Sequence, residues 1–188
     1  YVVPVGKGTA MSVRSGLMAL LAEGEKYGAQ LRTEFEARTG GTWPLNVGQV
    51  YTTLDRLVRD GLVESAGKTD AEGRIAYRLT AAGHAELLTW WSTPVDRTNT
   101  PRDELTIKLA LAVTAPDVDV QRVVQTQRTA TLRHLHDLFG GSVMLMLPDG
   151  DGQLDVVAEI PPQAGTRRDL GVAKWVFEHG ESAGRGTQ

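Results

Sequence analysis

The sequence contains no cysteine among its 188 residues, which excludes disulfides and thiolate metal sites. Nothing in it therefore points to an oxidising compartment. Long apolar runs are lacking as well, because stretches such as 17–22 and 143–147 fall far short of the roughly 20 residues that a membrane helix needs. We expect a cytoplasmic protein.

An excess of basic residues is also absent. The 20 Lys and Arg residues stand against 23 Asp and Glu, giving a formal net charge of −3. A strongly basic chain would attract nucleic acid at long range, so any DNA affinity here must come from a local patch. Its salt dependence would still be steep, because that dependence counts the phosphates contacted and not the charge of the whole protein.

Signatures of common enzymes and metal sites are missing too. The sequence has no nucleophile elbow and no phosphate-cradling glycine loop after a strand. Residues 149–160 begin like a calcium loop, but Leu154 stands where glycine is required and Ile160 where glutamate is required. His134 and His136 are two apart on a predicted helix and face different sides, which disfavours a shared metal. We expect neither catalysis nor a cofactor.

What the sequence does contain is a series of helix patterns. Residues 1–10 show no periodicity and are interpreted as a tag remnant or disordered arm. Ser12 is predicted to cap a first helix, and a second opens at Tyr27-Gly28. Asn46 is predicted to cap a third helix, which reaches about Asp60.

The third helix has two contrasting faces. Its predicted inward stripe is Val47, Val50, Leu54, Leu57 and Val58. The remaining outer positions are Gly48, Gln49, Thr52, Thr53, Arg56 and Arg59. Short polar groups at the start allow close approach to base edges, and the arginines can reach bases or phosphates. This pattern is typical of a recognition helix.

A β-hairpin is predicted directly after that helix. Residues 74–79 alternate in the period-2 manner of a half-buried strand, and the tip at 66–73 is rich in glycine and charge. Lys68 and Arg74 near the tip are well placed to lie along a phosphate backbone. The hairpin is therefore interpreted as a wing. Tyr27, at the start of the second helix, is expected either to be partly core or to contact the DNA backbone, and backbone contact is favoured.

The rest of the chain is mostly helical. Thr80 is predicted to cap a fourth helix, and further helices are expected over about 103–114, 117–139 and 166–178. Between the last two, residues 143–147 and 154–160 either pair as a hairpin or run irregularly. The predicted domains are a winged helix-turn-helix at 11–92, a helical dimerisation domain at 101–180 and a disordered tail at 181–188. The fold class is thus mainly α with a small β-hairpin.

Short motifs make this plan more specific. They are Tyr27-Gly28, Val50-Tyr51 with Leu54, Arg56-Leu57, Asp60-Gly61-Leu62, Tyr77-Arg78-Leu79-Thr80 and Gly83. Together they resemble the PadR family of bacterial transcriptional regulators, over Met11 to about Trp91. Asp103-Glu104-Leu105, Lys108-Leu109 and Trp175 look like the C-terminal dimerisation domain of longer members. The chain departs from that pattern in a longer glycine-rich stretch between its last two helices.

The resemblance implies a homodimer that binds a pseudo-palindromic double-stranded operator, usually as a repressor of a neighbouring gene. It also implies release by a small aromatic effector in some members. Tyr51 is expected either to be partly core or to reach a phosphate through its hydroxyl. The dimer is expected to be held by the last helix, around Leu170, Trp175 and Val176.

Trp90 and Trp91 are neighbours on a helix and point about 100° apart, so they cannot both face one core. One is expected to be core, and the other to pack in a dimer interface or to line an effector pocket. A rival for the whole chain is a winged helix used as a protein-interaction module without DNA binding, which the charge of −3 favours. An enzyme with an unfamiliar site is the third alternative.

Overall fold

The computed structural model describes residues 7–69, 71, 73–96, 103–163 and 165–183, with side chains left out at 7–12, 68, 103 and 168. Contacts within the chain divide it into two compact units, residues 1–127 and 128–188. None of the helices in the described ranges combines the length and the hydropathy needed to cross a bilayer.

The N-terminal unit consists of helices with one small sheet. Its elements are α1 (Lys7–Leu21), β1 (Lys26–Tyr27), α2 (Gly28–Arg38), α3 (Val47–Arg59), β2 (Val63–Thr69), β3 (Ile75–Leu79), α4 (Ala81–Ser92), α5 (Asp103–Thr114) and the first part of α6 (Val120–Phe139). The sheet is antiparallel with strand order β1-β3-β2.

The core of this unit is built around α1. Leu17 and Leu20 of α1 are fully buried, as are Leu31 and Phe35 of α2. Burying each such side chain contributes roughly 1.5–3 kcal/mol. A Cβ at Gly16 would lie 2.5 Å from the Phe35 ring and 3.2 Å from Leu111 Cδ1 of α5. Glycine at this position therefore lets α1 pack closely between α2 and α5.

The wing is a three-stranded sheet, because β1 adds a strand that the sequence pattern did not predict. Tyr27 pairs with Ala76, and Val63 of β2 pairs with Leu79 of β3. The expected alternation in β3 is wrong at its start, where Ala76 is buried and Ile75 is 47% exposed.

Three further local predictions are corrected. The first helix begins at Lys7, so Ser12 lies inside it and does not cap it. Residues 1–6 of the predicted arm lie outside the described residues. Val47 and Val58 are 52% and 43% exposed and do not belong to the inward stripe of α3. Val58 is turned about 100° from the buried Leu57, and Val47 precedes the buried turns at the first helical position.

The turn into α4 is tightly packed. Thr80 caps the helix as predicted, its Oγ1 accepting from the backbone N–H of Gly83 at 3.1 Å. The backbone N–H of Thr80 in turn donates to the carbonyl of Leu62 at 3.0 Å. A Cβ at Gly83 would lie 2.1 Å from that same carbonyl oxygen, so only glycine fits there.

The C-terminal unit contains the remainder of α6, a hairpin and a last helix. The strands are β4 (Val143–Pro148) and β5 (Leu154–Ile160), and the helix is α7 (Arg167–His179). The two strands pair antiparallel from Val143 opposite Ile160 to Pro148 opposite Leu154, so the hairpin alternative is confirmed. Thr166 caps α7 and the left-handed Gly180 ends it.

The hairpin turn explains the aspartate-glycine sequence that begins like a calcium loop. The Asp149 Oδ1 atom accepts from the backbone N–H groups of Asp151 at 2.9 Å and Gln153 at 2.7 Å. The carboxylate thus shapes its own turn, as aspartates commonly do. Among the described residues no three His, Cys, Asp or Glu side chains are grouped to hold a metal.

The fold class is confirmed as mainly α with a small sheet that forms a wing. The predicted domain bounds remain predictions, since residues 97–102 between the two predicted domains lie outside the described residues. The boundary between the two compact units falls between Gln127 and Arg128, within α6.

Candidate nucleic-acid interface

The helix α3 begins with a reciprocal pair of hydrogen bonds. Asn46 Oδ1 accepts from the backbone N–H of Gln49 at 2.7 Å, and Gln49 Oε1 accepts from the backbone N–H of Asn46 at 3.1 Å. One of these bonds satisfies an N–H group that a helix start leaves without a partner. The predicted N-cap is confirmed, and both amide side chains are held with their oxygens against the backbone.

The polar face of α3 is open to solvent. Its exposed members are Gly48, Thr52, Asp55, Arg56 and Arg59. Gln49 and Thr53 are half-buried at its edge, and the Thr53 hydroxyl donates to the Gln49 carbonyl at 2.7 Å. Among the predicted contact residues on this helix, Thr53 therefore already donates its hydroxyl proton to a backbone carbonyl of the helix itself.

Arg56 is available for a new partner. It has no ion-pair partner among the described residues, whereas Arg59 Nε lies 3.6 Å from Asp60 Oδ1. Several other basic side chains of the unit are paired, as in the 2.8 Å bridge between Lys26 and Glu34. Because a paired charge is largely cancelled, attraction for an anion is concentrated on a few side chains. This arrangement reconciles a local basic site with a net charge of −3.

Tyr51 lies against the start of α2. A Cβ built on Gly28 would come 2.9 Å from Tyr51 Cζ and 3.1 Å from its hydroxyl oxygen. The ring is half-buried and packs against the hydrophobic core, which bears out the partly-core expectation, while its contact with phosphate stays a prediction. The nearby Tyr77 is also half-buried, and burial raises its pKa, with Asp55 and then Tyr51 adding smaller effects.

A basic side chain at the edge of the wing lies near the start of α2. The Arg74 guanidinium lies 5.9 Å from the centroid of the Tyr27 ring, within the range of a cation–π contact. Two predicted contact residues on different elements, Tyr27 and Arg74, are thereby brought together. The Lys68 side chain and the tip residues 70 and 72 lie outside what the structure describes.

Several features of this surface were missed by the sequence patterns. Gly28 was read only as the start of a helix, although it is the position that accommodates the Tyr51 ring. Tyr77 and Asp55 were not assigned to the site. The motif Tyr27-Gly28 carried a signal, since glycine is a poor helix former and yet stands at the first helical position of α2. No sequence signal identified the partner of Arg74.

The two tryptophans have different surroundings. Trp91 is 9% exposed and lines a cavity of about 340 Å³ together with Leu88, Val118, Arg122 and Val123. The ring centroids of Trp90 and Trp91 are 4.4 Å apart. Trp91 is the core tryptophan that was expected, but Trp90 is half-buried against the same core, so the prediction that the two cannot both face one core is wrong. The tryptophan that lines the cavity is the buried Trp91 and not its neighbour.

Trp90 lies beside a buried charged pair on α5. The Lys108 ammonium is 5.3 Å from the Trp90 ring centroid, and its Nζ donates to the backbone carbonyls of Trp90 and Thr93. The Trp90 indole N–H donates to Glu104 at 3.5 Å. Burial lowers the pKa of Lys108 to about 8, and the neighbouring Glu104 opposes that shift. Lys108 therefore joins the end of α4 to α5.

The helix α7 of the C-terminal unit presents an apolar surface. Leu170 and Trp175 are 40% and 41% exposed. Val176 is half-buried and lines a groove of about 770 Å³ with residues of the β4–β5 hairpin. These three residues remain the predicted dimer contact.

Comparisons with known proteins were made by sequence and by structure. Residues 17–89 match the model described as "Transcriptional regulator PadR-like family". No curated protein matches the chain significantly.

Three solved structures are similar to this chain at TM-scores near 0.4. A transcriptional regulator from Clostridium thermocellum is 22% identical with a TM-score of 0.42, and the match covers 47% of this chain and 84% of that one. Bacillus subtilis PadR in complex with operator DNA is 22% identical, with a TM-score of 0.42 and coverage of 68% and 75%. The same protein with p-coumaric acid is 21% identical, with a TM-score of 0.41 and coverage of 72% and 74%.

The match of the family model spans the end of α1, the whole of α2 and α3, the wing and most of α4, and it includes the motifs from Tyr27 to Gly83 that carried the resemblance. Residues 17–89 of this chain therefore match the PadR-like family of transcriptional regulators.

Proposed function

We propose that this protein is a sequence-specific DNA-binding regulator that represses a neighbouring gene as a homodimer. The observation that carries the proposal is the exposed polar face of α3, on which Arg56 has no ion-pair partner among the described residues. The wing that follows supports it, since Arg74 lies beside Tyr27 at the start of α2.

In this proposal, the two α3 helices of a dimer enter successive major grooves, about 34 Å apart. Gly48, Gln49, Thr52 and Arg56 face base edges or the phosphates next to them. Tyr27, Tyr51, Lys68 and Arg74 contact the flanking backbone and fix the register. Because a two-fold protein reads a two-fold site, the operator is pseudo-palindromic.

The test is a gel shift with DNA from directly upstream of the protein's own gene, at physiological salt. Wild-type protein shifts that fragment and leaves a scrambled duplex of equal length unshifted. Arg56→Ala weakens binding by roughly 1–3 kcal/mol. Arg133→Ala is the matched control, because Arg133 is an exposed arginine of α6 without an ion-pair partner among the described residues. If Arg133→Ala lowers the affinity as much as Arg56→Ala does, the assigned surface is wrong.

Dimerisation is assigned to α7, through Leu170, Trp175 and Val176. The partial exposure of large apolar side chains on this helix supports the assignment, since such surface is normally covered in an assembly. An effector that changes the spacing of the two winged domains would release the DNA.

The effector pocket is assigned to the cavity beside Trp91. Its lining combines the Trp91 indole and apolar side chains with the charged Asp117, Asp119 and Arg122, and Arg122 has no ion-pair partner among the described residues. This chemistry suits a small aromatic molecule that stacks on the indole. Quenching of tryptophan fluorescence by candidate aromatics should persist in Trp90→Phe and disappear in Trp91→Phe. Quenching by none of them would remove this assignment.

The second candidate function is a protein-interaction module built on the same winged helix. The net charge of −3 and the ion pairing of most nearby basic groups favour it. A protein that acts only in this way leaves the upstream DNA unshifted at physiological salt, so the same gel shift separates the two functions.

A further inference from the structure

The hydrogen bonds at the start of α3 determine which atoms of two amide side chains remain for a ligand. Each amide has one oxygen, which accepts, and one NH₂ group, which donates. The oxygens of Asn46 and Gln49 are both used by backbone N–H groups of the helix start. Neither NH₂ group has a partner among the described residues. The first turn of α3 therefore offers hydrogen-bond donors.

The path to these donors is open. Asn46 is exposed and Gln49 is half-buried. Gly48 lies between them without a side chain, and a Cβ built there would be 3.3 Å from Asn46 Oδ1. A base edge can thus approach the first turn closely over Gly48.

The base pairs differ in what they present to such donors in the major groove. Guanine presents two acceptors, N7 and O6, whereas adenine presents the N7 acceptor beside the N6 amino donor. A glutamine whose amide is unrestrained reads adenine by accepting from N6 and donating to N7. In this protein that mode would require the amide oxygen to accept a second hydrogen bond beside the one from the helix backbone.

From this geometry we infer that Asn46 and Gln49 are specificity-determining residues that donate to guanine and disfavour adenine in each half-site. The inference rests on the proposed function, because it assumes that α3 enters the major groove.

Two substitutions remove the NH₂ donors and leave the helix cap in place. Asn46→Asp and Gln49→Glu keep the oxygen that accepts from the backbone and remove the NH₂ group. Thermal unfolding of both variants should match wild type and so verify that the fold is retained. Each variant loses affinity for every duplex through its added negative charge, so the informative quantity is the response to changes in single bases.

The experiment measures Kd by fluorescence anisotropy with the full-length protein and a footprinted duplex from its own upstream region. Each guanine of a half-site is replaced in turn by 7-deazaguanine, which lacks the N7 acceptor. Wild-type protein loses about tenfold in affinity at one or two positions. At each of those positions, the variant that lacks the contacting NH₂ group loses nothing further on replacement.

Two results would overturn the inference while leaving the proposed function standing. One is wild-type binding that no 7-deazaguanine weakens. The other is an equal loss in wild type and in both variants at every position. Failure of the wild-type protein to bind any upstream duplex would instead overturn the proposed function itself.

Discussion

Gly28 and Tyr51 are in contact across two helices, and a Cβ on Gly28 would lie 2.9 Å from Tyr51 Cζ. The first residue of α2 thus determines where the outer end of a side chain of α3 can lie. Since the Tyr51 hydroxyl is 3.1 Å from the same point, any side chain at position 28 shifts the proposed phosphate contact.

Gly28→Ala should therefore weaken operator binding with little loss of stability. The half-buried Tyr51 ring can move aside, so the fold is retained, but its hydroxyl no longer reaches the phosphate. We expect a loss of about 1.5 kcal/mol, roughly tenfold in Kd, measured by anisotropy. In a Tyr51→Phe background the same substitution should have no further effect, and a full tenfold loss there would show that the hydroxyl is not involved.

Gly83→Ala should destabilise the protein, although alanine is the better helix former by about 1 kcal/mol. The added Cβ would lie 2.1 Å from the Leu62 carbonyl oxygen, which also accepts from the backbone N–H of Thr80. We expect a net loss of at least about 2 kcal/mol in the free energy of unfolding, measured in urea. Gly141→Ala is the control, because a Cβ at Gly141 meets nothing within 4 Å. Equal stability of the two variants would refute the packing argument.

Lys108 should make the free energy of unfolding depend on pH in the alkaline range. Burial lowers its pKa to about 8 in the folded protein, from 10.5 in an ordinary environment. Below pH 8 the group is charged in both states, so the folded state bears the full cost of burying an ammonium. Between pH 8 and 10.5 only the unfolded chain holds the proton, so this group's contribution to stability rises with pH.

The measurement is the free energy of unfolding of wild type minus that of Lys108→Met, at several pH values. The difference should increase from pH 7.5 to 10, because other titrating groups cancel. If the variant does not fold, an NMR titration of the wild-type Lys108 side chain gives its pKa directly. A pKa near 10.5 would contradict the prediction.

Substitutions on α7 should convert a dimer into monomers. Leu170→Asp or Trp175→Ala removes large apolar contacts from the assigned interface, and we expect halved mass by sedimentation equilibrium at micromolar concentration. Val113→Asp is the matched control, since Val113 is an exposed apolar residue of α5. Dimers that persist in both α7 variants would place the interface elsewhere.

Much of the fold followed from local patterns. The caps at Asn46 and Thr80 were read correctly, because each depends on hydrogen bonds to residues three positions away. The hairpin at 143–160 was left open between two alternatives, since its apolar runs suit either a paired or an irregular backbone. Pairing was decided by contact between the strands.

The candidate site was predictable in its residue types and less so in its contacts. The outer face of α3 emerged from helical spacing alone. The exposure of Val58 did not follow from spacing. Neighbouring helix positions differ by about 100°, so spacing alone does not show which residues at the edge of the apolar stripe are covered by the rest of the protein.

The sequence by itself determined the order of helices and strands, the ends of several helices and the polar face of α3, because these depend on side chains within a few residues of one another. Only the tertiary structure decided that Gly28 lies under Tyr51, that Arg74 lies by Tyr27 and that Lys108 holds the end of α4. Each of those contacts joins residues far apart in the chain, so its geometry depends on how the helices pack and not on local preference.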